Sequence, residues 1–189
     1  ALEISNIPEA KSLALESAKQ AIVMLRNENK VLPISPEKYK NIAVIGPNAN
    51  NVNLGDYSTE KPKYYVTVLE GIKKRSGGNY NVQYNEGCKI TLPLPENQHQ
   101  LEKDKKSIKQ AVEMAKSSDI VILAVGGDRN SDREGRDRSN LQFVGLQNEL
   151  IHQIEALGKP IVLCIFGAKI YAIPEIYKKS DAILQCWNL

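Results

Sequence analysis

The residues best suited to chemistry lie in one short stretch, 126–140, directly after an apolar run at 119–125. The stretch holds four of the chain's six arginines, and four carboxylates alternate with them: Asp128, Asp132, Glu134 and Asp137. In open α/β sheets ligands bind beyond the carboxyl ends of the strands, so a charged loop at such a place is a candidate site. A solvated loop whose charges cancel is the alternative that these local features leave open.

Glu134 is the carboxylate that best fits acid/base chemistry. A general acid must hold its proton, and neighbouring guanidinium groups oppose this, so we expect the arginines to pair with the three aspartates instead. Glu134 is then left free beside Gly135, whose backbone can turn it outward. Glycoside hydrolysis needs two carboxyl groups, about 5 to 5.5 Å apart in retaining enzymes. Since the chain offers one convincing candidate, the second would come from elsewhere.

The residues argue against common cofactor and metal sites. After the first apolar strand, Gly46 is followed by Pro47, which lacks the backbone donor that a pyrophosphate would need. A calcium loop that began at Asp128 would have Arg133 where the sharp turn needs glycine, and Ser139 where a bidentate carboxylate is needed. We therefore expect neither a cofactor nor a bound metal ion.

Composition points to a globular domain without unusual partners. A net charge of +3 is too small to argue for nucleic acid, and no apolar run approaches the roughly 20 residues that span a bilayer. Three cysteines, Cys88, Cys164 and Cys186, lack metal-ligand spacing and fit buried positions. Thiol catalysis lacks a plausible partner, because His99 lies in a polar linker and His152 in a helix.

The hydrophobic pattern alternates strands with helices. The predicted strands are 41–45, 82–84, 119–125, 161–166 and 182–186. The predicted helices are 10–25, one from residue 66 to about 77, 107–116, 147–157 and 174–178. Strands that are apolar throughout and are separated by helices predict an α/β fold, a mostly parallel sheet covered by helices on both faces.

We divide the chain into a linker with an N-terminal amphipathic helix, residues 1–38, and an α/β sandwich domain, residues 39–189. Ala14, Ala18, Ala21, Ile22 and Leu25 share one face of that helix, so it is expected to pack on something. The last strand runs into Trp187 with no element after it, and an exposed terminal strand is an unusual end for a domain. Either further chain follows a truncated domain, or another segment covers this strand.

Four segments together resemble the second domain of glycoside hydrolase family 3, which contains β-glucosidases and β-xylosidases. They are residues 21–33 (AIVMLRNENKVLP), 42–49 (IAVIGPNA), 54–58 (LGDYS) and 134–141 (EGRDRSNL). The resemblance implies an N-terminal (β/α)8 barrel that carries the nucleophilic aspartate, a linker, and an α/β sandwich that lends a loop to the active site. On this resemblance the general acid/base falls on Glu134, with Arg138 four residues later and Gln147 opening the next helix.

The resemblance implies a retaining, exo-acting β-glycosidase whose substrate is a β-linked oligosaccharide or aryl glycoside. The barrel of the same protein would be the partner, with no nucleic acid and no membrane involved, and this chain alone would be inactive. Asp137 and Arg138 would hold the loop by ion pairing, and Asp128 is a candidate for contact with sugar hydroxyls. All three residues could instead serve loop architecture alone. Family members that act on plant polysaccharide are often exported, which favours a secreted or periplasmic protein.

Two departures from the family pattern bear on substrate preference. Phe143-Val144-Gly145 replaces a leucine-proline-glycine, and Ala168-Lys169-Ile170 replaces a glycine-arginine-proline near the same sheet edge. Two rival functions also stand beside the glycosidase. A non-catalytic domain that binds carbohydrate or stabilises the barrel would lose little activity without Glu134. A free-standing α/β domain that binds a small molecule would be folded and monodisperse by itself.

Overall fold

A computed structural model describes residues 7–188 except 53, 59–61, 63 and 93. Within these residues six strands form one sheet with the order β1-β6-β5-β4-β2-β3. The strands are β1 (Val23–Asn27), β2 (Asn41–Ile45), β3 (Asn81–Asn85), β4 (Ile120–Gly126), β5 (Ile161–Phe166) and β6 (Ala182–Trp187). β2 to β6 pair in parallel, and β1 joins the edge antiparallel to β6.

Helices cover both faces of the sheet, as the sequence predicts. The described helices are α1 (Pro8–Ala21), α2 (Val68–Ser76), α3 (Gln98–Lys116), α4 (Gln147–Glu155) and α5 (Pro174–Lys179). α3, α4 and α5 pack on one face, whereas α2 and the segment around Val31 and Tyr39 pack on the other. Every residue of β4 and β5 is buried, which is why these strands are apolar at consecutive positions. None of the described helices has the length and apolar character needed to cross a membrane.

The expected N-terminal helix over 10–25 is wrong at its C-terminal end. α1 stops at Ala21, and Val23–Asn27 forms β1, with Val23 opposite Gln185 of β6. The spacing of residues 22–25 is compatible with a helix, but the open edge of β6 offers hydrogen-bond partners for the backbone, and a strand forms instead. No residue of α1 is buried, so the expected packing of its face is not found within this structure.

β1 lies at the outer side of the strand that the sequence left without a partner. Since β1 covers β6, the last strand is not an edge of the sheet, and another segment does cover it. The backbone N–H of Glu28 extends this contact by donating to Asp181 O at 2.7 Å. The division of the chain at residue 38 stays a prediction, although β1 lies before it and belongs to the sheet.

α3 begins at Gln98 and not at Ser107. Its first half is rich in lysine and has little apolar periodicity, so the hydrophobic pattern alone did not reveal it. A buried carboxylate, Asp104, instead anchors this half to the preceding loop. It accepts hydrogen bonds from Gln100 Nε2 at 2.8 Å and from Thr91 Oγ1 at 3.3 Å.

Asp119 fastens the amino ends of β2 and β4. Its Oδ2 accepts the backbone N–H groups of Asn41 at 2.7 Å and Lys40 at 2.8 Å. These bonds, that of Asn41 foremost, lower the pKa of Asp119 from its usual 3.8. A lowered folded-state pKa contributes stability that is present above the unfolded-state pKa and is lost as the pH falls through the folded-state pKa.

We therefore expect the free energy of unfolding of Asp119→Asn to depend less on pH in the acid range than that of the unaltered chain. Above about pH 5 the variant should be less stable than the unaltered chain, and the difference should vanish as the pH falls below the folded-state pKa. Urea unfolding followed by circular dichroism between pH 2.5 and pH 7 measures it. Asp137→Asn, which removes no described hydrogen bond, is the control and should have the unfolding free energy of the unaltered chain at pH 7. A constant offset between Asp119→Asn and the unaltered chain at all pH values would contradict the linkage.

Candidate active-site loop

The charged loop leaves the carboxyl end of β4 and returns at the start of α4, and one glutamine joins its two ends. Gln147 is fully buried. Its Oε1 accepts the Gly126 N–H at 2.8 Å, while its Nε2 donates to the carbonyls of Gly126 at 2.8 Å and Val144 at 2.9 Å. The sequence showed Gln147 only as the residue that opens the next helix. Because buried polar side chains are hydrogen-bonded, a glutamine that is buried at the start of a helix is expected to bond nearby backbone groups.

Asp132 fixes the middle of the loop to the sheet. Its side chain is 2% exposed and lies against Gly127 and Gly167, where an added Cβ would meet Asp132 Oδ2 at 1.9 and 2.5 Å. The Tyr171 hydroxyl donates to Oδ2 at 2.6 Å, and an Arg138 nitrogen lies 3.7 Å from Oδ1. The carboxylate thus occupies a slot between the ends of β4 and β5 that two glycines keep open.

Tyr171 is the main partner of that carboxylate. Its ring stacks on Phe143 with centroids 4.5 Å apart, and the Arg138 guanidinium lies 5.8 Å from the ring centroid. Burial, followed by the hydrogen bond to Asp132, raises the pKa of Tyr171. The hydroxyl therefore remains a hydrogen-bond donor throughout the neutral range.

Lys169 adds a second tie from the segment after β5. Its Nζ donates to Arg136 O at 2.6 Å and lies 3.5 Å from Ser131 O. This lysine belongs to the Ala168-Lys169-Ile170 departure from the family pattern. In this chain its ammonium group bonds the backbone of the candidate loop, so the departure affects how the loop is held.

Glu134 lies at the exposed tip of the anchored loop. Residues 133–137 are all exposed, and Gly135 has a φ of +70°, a backbone conformation that favours glycine and was anticipated from the sequence. In the part of the chain that the structure describes, Glu134 pairs with none of the loop's arginines. It does have a partner from another loop, because the Tyr57 hydroxyl donates to Glu134 Oε2.

The expected pairing of aspartates with arginines is found only in part. Asp128 Oδ1 accepts the backbone N–H groups of Asn130 and Ser131, both at 2.9 Å, so Asp128 shapes a turn of the loop. Arg138 turns inward to Asp132 and donates to a loop carbonyl, that of residue 142. Asp137 is exposed and makes no hydrogen bond or ion pair with any residue that the structure describes. Arg138 thus holds the loop through the buried Asp132, whereas the part that Asp137 has in holding the loop stays a prediction.

No metal centre is formed by the described residues. They contain no group of three or more histidine, cysteine, aspartate and glutamate side chains that could hold a metal ion. The three cysteines are free and buried, which the apolar runs in the sequence predicted for Cys164 and Cys186. Substrate contacts of Asp128, Asp137 and Arg138 stay predictions.

We expect Tyr171→Phe to loosen the loop and lower the stability of the chain by about 1 to 3 kcal/mol, because it leaves Asp132 without its closest donor. The substitution keeps the ring stacked on Phe143, so the loss reports the hydroxyl alone. Urea unfolding measures it. Tyr177→Phe is the matched control, since the structure gives the Tyr177 hydroxyl no hydrogen bond among the described residues and Arg26 faces its ring. Equal effects of the two substitutions would contradict the proposed anchor.

Comparison with known proteins places these features in a family. The profile of the glycosyl hydrolase family 3 C-terminal domain matches residues 22–189. A β-xylosidase from Formosa agariphila is 36% identical over 187 residues, which cover 95% of this chain and 24% of that protein. A periplasmic β-glucosidase from Salmonella typhimurium is 31% identical, with 92% of this chain and 24% of that protein covered.

Solved structures agree with the sequence comparison. A β-glucosidase from Erythrobacter marinus has 29% identity and a TM-score of 0.85, and the alignment covers 97% of this chain and 27% of that one. An exo-β-xylosidase in complex with a xylobiose aziridine probe has 26% identity and a TM-score of 0.78, with 98% of this chain and 24% of that one covered. This chain thus spans about a quarter of the length of these relatives.

Proposed function

Because this chain belongs to glycosyl hydrolase family 3, in which it corresponds to the C-terminal domain, we propose that it supplies the general acid/base of a retaining, exo-acting β-glycosidase. Glu134 is that residue, and a separate (β/α)8 barrel of the same protein provides the nucleophilic aspartate. The β-xylosidase and the β-glucosidase whose sequences are similar to this chain support this proposal. The substrate is a β-linked glucoside or xyloside.

The proposal rests on one observation. An exposed carboxylate lies at the tip of a loop whose base is held by hydrogen bonds. Asp132, Lys169 and Gln147 tie the loop to the ends of β4 and β5. Glu134 and Gly135 lie between the Asp132 and Lys169 contacts and are exposed. A loop that served only to link β4 to α4 would not need several buried polar contacts to hold an exposed carboxylate in place.

The proposed mechanism uses Glu134 twice. In the first step its carboxylic acid gives a proton to the glycosidic oxygen as the bond to the anomeric carbon breaks, while the barrel aspartate bonds that carbon. In the second step the Glu134 carboxylate takes a proton from water, whose oxygen attacks the anomeric carbon and releases the aspartate. The proton lost in the first step is regained in the second, so the enzyme is restored.

The proposal has consequences for the chain by itself. Without the nucleophile, the 189-residue chain should not turn over glycosides. Residues 1–38 would contain the linker from the barrel, although β1 within them is part of the sheet. We also propose that the parent protein is exported, in line with the periplasmic relative.

The decisive experiment replaces Glu134 in the intact protein and measures hydrolysis of aryl β-glucosides and β-xylosides that differ in their leaving groups. A loss that is severe for poor leaving groups and small for good ones supports proton transfer by Glu134. Unchanged rates across the series would leave this domain a carbohydrate-binding or barrel-stabilising unit.

A further inference from the structure

Two loops meet at the carboxyl edge of the sheet, the β4–α4 loop that carries Glu134 and the β2–α2 loop, residues 46–67. At their base the buried Asn48 donates from Nδ2 to Gly127 O at 3.0 Å. Further out, the Asp56 carboxylate lies 3.5 Å from Arg129 Nε. These two contacts, made by residues far apart in the chain, hold the β2–α2 loop beside the candidate active-site loop.

The third contact between the loops involves the acid/base carboxylate itself. The hydroxyl of Tyr57, in the segment LGDYS at residues 54–58, donates a hydrogen bond to Glu134 Oε2. The Tyr57 side chain is otherwise open to solvent, with 86% of the residue exposed, so its ring has no role in the core of the described domain. Its placement is set by the neighbouring Asp56 contact and by this one hydrogen bond.

The proton of this hydrogen bond belongs to the tyrosine in the neutral pH range. The hydrogen bond to Glu134, more than any other influence, raises the pKa of Tyr57 from its usual 10. The phenol thus stays protonated in the neutral range and acts only as a donor to Oε2. A donor to a carboxylate stabilises its charged form and fixes one of its two oxygens.

We propose that Tyr57 is a positioning residue for Glu134, which holds Oε2 and leaves Oε1 for proton transfer. This inference rests on the proposed function of Glu134. It acts in both steps, because the oxygen that Tyr57 leaves free gives the proton to the leaving group and then takes one from water. Without the Tyr57 hydroxyl, Glu134 would spend less time in the orientation that proton transfer needs.

Tyr57→Phe in the intact protein tests this assignment, because the change removes the hydroxyl and keeps the ring. With a poor leaving group, whose departure needs the proton of Glu134, we expect kcat/KM to fall about 3- to 10-fold, whereas kcat/KM for an activated glycoside, whose departure needs no proton, should stay unchanged. With a good leaving group, for which the second step limits turnover, kcat should fall about 3- to 10-fold. A merely structural role would lower kcat/KM by a similar factor on both kinds of substrate.

Tyr65→Phe is the matched control, since Tyr65 is an exposed tyrosine of the same loop with no hydrogen bond to the described residues, and its rates should match those of the unaltered protein on both kinds of substrate. A second readout does not depend on activity. In the 189-residue chain labelled with 13Cζ-tyrosine, Glu134→Gln should move the titration of Tyr57 to lower pH.

The outcomes separate the two proposals. If Glu134→Ala is severely impaired while Tyr57→Phe has the rates of the unaltered protein on poor leaving groups, the role of Tyr57 is overturned and the role of Glu134 stands. The role of Tyr57 is equally overturned if Glu134→Gln leaves the Tyr57 titration where it was. If Glu134→Ala retains full activity on poor leaving groups, the proposed function itself is overturned.

Discussion

Glu134→Ala in the intact protein should lower kcat/KM on aryl β-glycosides with poor leaving groups by about 10²- to 10⁴-fold, the usual contribution of a general acid. A poor leaving group cannot depart without a proton, whereas an activated phenolate departs without one. The loss should therefore shrink to less than about tenfold for activated aryl glycosides. Initial rates across a series of leaving groups measure the loss for poor and for activated substrates.

Added azide should restore the second step in this variant. Azide attacks the anomeric carbon of the glycosyl-enzyme without general-base help, so turnover of activated substrates should rise and a β-glycosyl azide should form. Glu134→Gln is the matched variant, because its amide keeps the shape and can accept from Tyr57 but cannot give a proton. It should match Glu134→Ala on poor leaving groups. The 189-residue chain alone should show no hydrolysis in the same assay.

A different pattern would remove Glu134 from the mechanism. If Glu134→Ala changed all rates by a similar small factor, with no dependence on the leaving group and no azide effect, another residue would be the proton donor. The domain would then act as a scaffold or carbohydrate-binding unit.

Gly126→Ala should be the most destabilising single-methyl change at the site. A Cβ at Gly126 would lie 1.9 Å from Phe166 O on the neighbouring strand β5, and the residue has a φ of +144°. The two strands would have to separate at the point where the loop departs. We expect a loss of about 3 kcal/mol or more in the free energy of unfolding, from forced displacement together with backbone strain. Equilibrium urea unfolding of the chain, followed by circular dichroism, measures this loss.

Gly158→Ala separates the two causes. Gly158 also has a positive φ, +65°, but nothing lies within 4 Å of its added Cβ. This control should lose only about 1 kcal/mol, the cost of a left-handed conformation for an L-residue. Equal losses in the two variants would show that contact with Phe166 does not limit the structure and that strain alone explains the effect.

Sequence reasoning was most accurate where burial leaves a local mark. β4 and β5 were located to within a residue, because a strand buried on both faces must be apolar at every position. The alternation of such strands with amphipathic helices was enough for the fold class. The place of the charged loop at the end of β4, and hence of Glu134 at the sheet edge, followed from the same pattern.

Sequence reasoning failed where a residue's partner lies far away in the chain. The spacing of residues 22–25 fits a helix, but Val23–Asn27 pairs with the edge of β6 as a strand. The sequence predicted that Asp132 pairs with an arginine, but not that its carboxylate lies in a slot formed by Gly127 and Gly167. The hydrophobic periodicity of a sequence does not reveal a slot that is formed by the ends of two separate strands.

The sequence by itself determined the α/β class, the family and the carboxylate that we assign to acid/base chemistry, because these depend on local patterns and on motifs. Only the tertiary structure decided what holds that carboxylate. Gln147 closes the ends of the loop, Asp132 anchors its middle, and Tyr57 reaches Glu134 from the loop after β2. These contacts join segments that are distant in the chain and become neighbours only because parallel strands bring their carboxyl ends to one edge.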